Sequence, residues 1–370
     1  MDHIHTLTRL IEVSREYEGP LCLTFIDLHN AFDSIEIEVV MEALGSQGVL
    51  TQYTKILREL YKNFTTINVD VKRGVRQGDT ISPKLFTANL QNAMRTLEWD
   101  NMRVKIDGRQ THHLRFADDI VLITPYISQA ECMLADFDKA CVKIGLRQNL
   151  KETMFMKNGL VLFAPFTLNG TNTSGRKIDV MNALAPELSR RKRAAWGAFK
   201  SIEDVVKRTK NTRLHSHLFD LTVLPALTYA SETWSLRKQD ERSLSVMERA
   251  VEWTMLGVSR FTQVRDGIRS SDLRQRSKTK YGVLYAKQSK IMWAGHVLRM
   301  SDIRWTRAIS DWIPRDVKRT AGRPPTRWSE FFTKSLEERY GARRVPKARR
   351  THWATLTRDR EKWRNYWRPL

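Results

Sequence analysis

Arg115-Phe116-Ala117-Asp118-Asp119-Ile120-Val121-Leu122-Ile123-Thr124 sets two adjacent carboxylates directly before an apolar run suited to a buried strand. Asp is depleted in strands and costly to bury ionised, so the pair must stand at a hairpin tip or bind something positive. A solvated tip explains the pair read alone, because turns use Asp freely. A divalent cation explains it too: two like charges this close would raise one pKa unless an ion neutralised both.

A second carboxylate lies at the end of another strand-like run, Leu21-Cys22-Leu23-Thr24-Phe25-Ile26-Asp27-Leu28, after which the pattern turns helical at Asn30-Ala31-Phe32-Asp33-Ser34-Ile35-Glu36. Three carboxylates on two strand ends match the hard-oxygen ligand set of two-metal phosphoryl transfer. Asp33, with Glu36 three residues on, reads as a helix N-cap ahead of a metal ligand. Between the two sites, Lys72-Arg73-Gly74-Val75-Arg76-Gln77-Gly78-Asp79-Thr80-Ile81-Ser82-Pro83 reads as a loop feeding a helix, with Ser82 as N-cap and Pro83 first inside it. Its glycines permit close backbone approach to a ligand, and Arg76 and Gln77 carry donors for a phosphate, sugar or base edge.

In this order, Phe25-Ile26-Asp27, Ala31-Phe32-Asp33, Gly74 to Pro83 and Phe116-Ala117-Asp118-Asp119 resemble the reverse transcriptase of non-LTR retrotransposons, most like the RTE-type elements of animals. Trp293-Ala294-Gly295-His296-Val297 and Gly322-Arg323-Pro324-Pro325-Thr326-Arg327-Trp328 resemble the same group's downstream region and are supportive only. The resemblance implies an α+β fold, a polymerase right-hand palm of antiparallel sheet and helices with partial fingers over 1–160. A linker at 161–183, a helical thumb at 184–260 and a basic, Trp-rich helical region at 261–370 follow. It implies RNA-directed DNA polymerisation with Asp27, Asp118 and Asp119 as catalytic residues holding Mg²⁺ or Mn²⁺, and Arg76, Gln77 and Gly78 lining the template and nucleotide pocket. Phe32 takes the place of the residue under the incoming sugar; read from the sequence alone, a core Phe on a first helical turn fits as well. The implied partners are an RNA template, a DNA primer and deoxynucleoside triphosphates.

Departures from the family pattern support a competing reading, a catalytically impaired nucleic-acid-binding remnant. The chain starts at what resembles the middle of the fingers, without the relatives' upstream endonuclease. Asn30 stands where relatives carry Lys, the strand near Val69 and the primer-grip turn before Gly175-Arg176-Lys177-Ile178 are shortened, and Glu152 stands where a Lys precedes Thr153. Lys151, one step earlier on an expected strand, would face the other way.

Charge separates the two halves. Residues 1–160 hold 19 Lys and Arg against 21 Asp and Glu, a net −2, and the remainder of the +22 chain therefore carries +24. That imbalance suits chemistry in one part and a grip on a polyanion in the other, and a purely structural protein leaves it unexplained. Arg190-Arg191-Lys192-Arg193 suits nucleic-acid backbone, nuclear import or a solvated helix face. Ten of the eleven tryptophans follow residue 160, either as stacking surfaces among basic residues or as fillers of small helical cores.

The 370 residues allow two or three domains. With no leader and no membrane-length apolar run, the chain reads as an intracellular protein of nucleus or cytoplasm. Cys22, Cys132 and Cys141 lack metal-ligand spacing and read as reduced core thiols, and His296 as a packing or backbone-contacting histidine. Ile4, Leu7, Leu10 and Ile11 predict an amphipathic helix on the sheet; Ser128 with Glu131 predicts a capping box; Leu184, Leu188, Ala195, Phe199, Ile202 and Val206 predict one long helix. Trp353, Trp363 and Trp367 are expected along one last helix.

Overall fold

The computed structural model describes residues 2–63, 74, 80–97, 99, 104–106, 109–161, 166–168, 171–172, 178–179, 184–300, 305–310, 312, 314, 327–340 and 353–367. The strand expected at Thr65 to Val71, the loop residues Arg76, Gln77 and Gly78, Gly175-Arg176-Lys177 and Gly322 to Thr326 lie outside the described residues. Helices dominate a mixed α and β chain, which divides into one unit of Val13–Met181 with Trp312–Gly322 and another of Met1–Glu12, Asn182–Asp311 and Arg323–Leu370. Among the described residues no helix is long and apolar enough to cross a membrane.

The first unit is built on a sheet in the order His113–Phe116, Asp119–Thr124, Cys22–Ile26, Met154–Lys157 and Ile178–Asp179. Four strands are antiparallel, and the short fifth joins parallel to Met156 and Lys157. Cys22–Ile26 is central, so it carries almost no polar residue; Leu23 and Ile123, opposite each other, are fully buried. Cys22, Ile26, Ile120, Leu122 and Phe155 belong to one core with Val40, Phe86, Leu90 and Phe137, side chains of the helices Ile37–Ser46, Ser82–Arg95 and Ile127–Lys143. The expected linker is thus partly sheet: Ile178–Asp179 pairs with the unpaired side of Met154–Lys157, and Thr167–Leu168 pairs with Thr171–Asn172 in a separate two-stranded sheet.

Among the described residues the second unit holds two apolar cores, and it takes in the expected thumb and the basic region apart from Trp312–Gly322. Leu188, Ala195, Phe199, Ile202 and Val206, the predicted stripe, are the buried residues of the helix Leu184–Arg208 and pack with Phe219, Leu227, Leu244 and Val251. The other core gathers Trp328, Phe332, Trp353, Trp363 and Trp367 against the helix Gly282–Leu298. The last three lie on two helices, Trp353–Arg358 and Arg360–Trp367, where one was expected. The N-terminal helix, Asp2–Glu16, was expected on the sheet, yet up to Glu12 it belongs to this unit. Its buried side is mostly polar, with Leu10 and Val13 among the buried residues: His5 Nε2 meets Ser310 Oγ at 3.1 Å, and Glu12 Oε1 accepts from the Trp328 amide at 3.0 Å and from Ser235 Oγ at 3.1 Å. Ile4, the start of the apolar stripe, is exposed.

Candidate active site

The pairing Phe116↔Asp119 closes the hairpin over two residues, Ala117 and Asp118, with Ala117 at φ 53°. A positive φ at the first turn residue suits the right-handed twist of the flanking strands, and here the small Ala accepts it. Asp118 is therefore a half-buried tip residue, and Asp119 an exposed residue at the start of the strand. In the neighbouring pair the register runs Cys22↔Thr124 to Ile26↔Ile120, which leaves Asp27, just past its strand, at the sheet end where Asp119 begins the next. Three carboxylates therefore share one end of the sheet.

Asp27 is held from the other side. Asn149 donates from its backbone N–H to the Asp27 carbonyl at 2.9 Å and from Nδ2 to Asp27 Oδ2 at 3.0 Å. The residues before it run antiparallel to the chain after Asp27, through the bridge Leu28↔Gln148 and His29 N–H to Arg147 O at 2.9 Å. Asn149 is a neighbour of the candidate site that sequence reasoning missed; its only local signal was a polar Gln148-Asn149 step between Leu146 and Leu150. Lys151 and Glu152 lie in a turn, and the strand starts at Met154, so the strand-face comparison between them does not apply.

A divalent cation suits this donor set chemically, since carboxylate oxygens are the hard ligands Mg²⁺ and Mn²⁺ prefer. As folded, no three His, Cys, Asp or Glu side chains among the described residues close around a single point to hold a metal. The residues fit the ion in kind, and the three carboxylates are neighbours by register.

Asn30, at φ 45° and ψ 47°, starts the short helix Ala31–Ser34; a short amide side chain tolerates this left-handed conformation. Asp33 is thus inside a first turn and not an N-cap, and Glu36 precedes the next helix, Ile37–Ser46. Phe32 is half-buried, its ring 4.7 Å from that of Phe86 on the core. Gly74, at φ 97°, donates its N–H to Ile35 O at 2.7 Å, and a Cβ there would meet Asp33 O at 3.2 Å. Gly74 therefore lies against the Phe32 helix.

Two helix starts also differ from expectation. Ile81 caps Ser82–Arg95, with the Ser82 hydroxyl buried, and Tyr126 caps Ile127–Lys143. Glu131 leaves the expected capping box to accept from Thr167 N–H and Oγ1, a tertiary pairing that local spacing could not reveal.

In the helical unit, Arg190 and Arg191 both donate to Glu187, Arg191 at 2.7 Å, and Arg191 also lies 4.4 Å over the Tyr229 ring. Lys192 Nζ donates to Ser243 Oγ at 2.9 Å, which leaves Arg190 and Arg193 as the exposed members of the run. Trp234, Trp328, Trp353, Trp363 and Trp367 are buried core and not stacking surfaces. His296 is exposed beside Trp293, their rings 5.7 Å apart. Cys22 and Cys141 are buried thiols, Cys22 pushed up to about 11 chiefly by burial, but Cys132 is exposed and not a core residue. All three are free.

The family described as reverse transcriptase (RNA-dependent DNA polymerase) matches residues 2–184. A transposon-derived protein of Caenorhabditis elegans is 32% identical over 272 residues, 70% of this chain and 96% of that protein. The chain belongs to the transposon-derived reverse transcriptase family. Reverse transcriptase-family relatives include the retrovirus-related Pol polyprotein of the type-1 retrotransposable element R2 in Nasonia vitripennis, 28% identical over 149 residues, 38% of this chain and 14% of the polyprotein. The type-2 element of Drosophila melanogaster is 30% identical over 106 residues, covering 26% and 10%. A solved structure of Candida tropicalis telomerase with a telomeric RNA fragment overlays at a TM-score of 0.31 and 12% identity, over 84% of this chain and 52% of that one. The family assignment rests on the sequence matches, which mark a reverse transcriptase domain of non-LTR retrotransposon origin.

Proposed function

We propose that this chain polymerises DNA on an RNA template by adding deoxynucleoside triphosphates to a primer 3′-hydroxyl, as an RTE-type element in the nucleus or cytoplasm. The observation that supports it best is the strand register Ile26↔Ile120 with Phe116↔Asp119, which puts Asp27, Asp118 and Asp119 at one end of the sheet. Bound there, two Mg²⁺ or Mn²⁺ ions supply charge neutralisation for the attacking and leaving oxygens. The chain's own groups do the positioning. Asp27, Asp118 and Asp119 present oxygens from one sheet end, and Asn149 fixes the direction of one of them. Phe32, braced on Phe86, supports the sugar, and Arg76, Gln77 and Gly78 line the template and nucleotide pocket. In this reading residues 1–160 are palm and partial fingers, 184–260 the thumb and 261–370 a basic region, with the exposed Arg193 turned to backbone phosphates, Arg190 reaching them only by giving up Glu187, and Lys192 held on Ser243.

A second reading, a nucleic-acid-binding remnant, is favoured by one observation: the carboxylates are neighbours that do not close around one point. Primer extension on an annealed RNA template and DNA primer, with Mg²⁺ or Mn²⁺, separates the two. Extension by this chain that is lost in the Asp118→Ala, Asp119→Ala double variant is expected. No extension by either, with salt-sensitive binding by both, would establish the remnant.

A further inference from the structure

The helical unit carries a groove lined by none of the candidate carboxylate-site residues. Arg249 and Trp253, on the helix Lys238–Leu256, form one wall, and Arg260, Gln263 and Val264, followed by Arg269, form the other around a cavity of about 560 Å³. The wall is tied from inside: Trp253 Nε1 donates to Gln263 Oε1 at 2.8 Å, and Gln263 Nε2 donates to Ile268 O at 3.1 Å and Ser270 Oγ at 3.2 Å. Gln263 thus fixes the indole edge and the turn together. Arg260 and Arg269 are exposed, Val264 is 76% exposed, and no carboxylate is among the residues lining the cavity. The nearby acid Asp266 is already paired with Arg265 at 2.8 Å.

Three arginines, Arg249 among them with its Nε on Ser245 O at 3.1 Å, line the cavity with an indole and aliphatic side chains, a set that suits an anion also carrying flat apolar rings. Guanidinium binds phosphate in a fork, and an aromatic face takes a base without regard to its identity. The cavity is of small-ligand size, too small to admit a duplex, which could touch only its rim. We propose that this groove holds one or two nucleotides of a single strand, with Arg249, Arg260 and Arg269 on the phosphates and a base against Trp253. The proposal rests on the nucleic-acid reading of the chain and not on its polymerase chemistry.

Fluorescence anisotropy with a labelled single-stranded RNA octamer, against the full chain, tests it. Arg260→Glu with Arg269→Glu, both at exposed positions, is expected to weaken binding about tenfold or more while the melting temperature holds. Trp253→Phe, which keeps a ring, is expected to bind better than Trp253→Leu, which does not. The Asp118→Ala, Asp119→Ala variant is expected to bind like the unaltered chain, so an inactive polymerase leaves the groove intact. A folded double charge-reversal variant binding within twofold of the unaltered chain overturns the proposal. Equal competition by a polyglutamate peptide also overturns it, in favour of an acidic protein partner.

Discussion

Asp27 shows how much one amide can decide. A carboxylate that shares a sheet end with other carboxylates is repelled by them, and Asn149 Nδ2 offsets part of that cost with a charge-assisted hydrogen bond that also sets the carboxylate's direction. Removing a group that orients a metal ligand typically costs 10–100-fold in metal affinity. Asn149→Ala is therefore expected to raise the Mg²⁺ concentration for half-maximal primer extension about tenfold, and Asn149→Asp to raise it further by adding a like charge. A second residue-scale case is Gly295, in the Trp293 to Val297 motif. A Cβ there would stand 2.7 Å from Trp363 Nε1 and 2.9 Å from Cδ1, in a core where Trp363 also donates to Ile291 O at 3.1 Å. Gly197, inside the helix Leu184–Arg208, meets nothing within 4 Å. Urea melts should then give opposite signs: Gly295→Ala destabilised by about 1–3 kcal/mol through overpacking, and Gly197→Ala stabilised by about 0.5–1 kcal/mol through helix propensity.

At the scale of elements, the helix Lys238–Leu256 buries two carboxylates a turn apart. Glu252 accepts from Thr279 Oγ1 at 3.2 Å and from Arg274 Nε at 3.4 Å, while Glu248 has Arg274 Nη2 at 3.9 Å and the Gly282 backbone beside it. Burial raises the Glu248 carboxyl to about 7; Arg274, Gly282 N–H and Arg249 pull it down, and Glu252 pushes it up. A folded-state value above the unfolded one means that the folded chain keeps a proton the unfolded chain has lost, so Glu248 costs stability as pH rises from about 4.5 to about 7. Burial lowers His5 and His113 to about 3, and they act oppositely, losing stability as pH falls below about 6.5. The difference between Glu248→Gln and the unaltered chain isolates the carboxylate. Melting curves should favour the variant at pH 8 by up to about 3 kcal/mol, with the gap closing toward pH 4.5. A gap independent of pH would show that Glu248 is ionised throughout.

At the scale of the molecule, the near-even balance of residues 1–160 against the +24 of the rest suits the proposed division between chemistry and grip. Each phosphate neutralised by Lys or Arg releases counterions, so the logarithm of affinity falls with the logarithm of salt by nearly one per contact. Binding of a primer–template duplex is expected to fall with a slope of about −3 or steeper between low and moderate salt. Affinity that holds across that range would sink the division of labour.

Local sequence alone determined the strands around Asp27 and Asp119 and the buried stripe from Leu188 to Val206, and offered a hairpin tip as one reading of Asp118-Asp119, because apolar runs and helical spacing are properties of neighbouring residues. Family likeness was legible for the same reason: its motifs are short and keep their order. Tertiary structure decided the rest. The register that brings Asp27 and Asp119 to one sheet end joins strands over ninety residues apart in the chain. Asn149 reaches Asp27 only through that sheet, and the Trp core forms only when four separate segments meet. The polar side of the first helix could be buried only because Ser310, Ser235 and the Trp328 amide were there to receive it. Polar groups go inside where distant partners satisfy them, and no spacing rule carries that information.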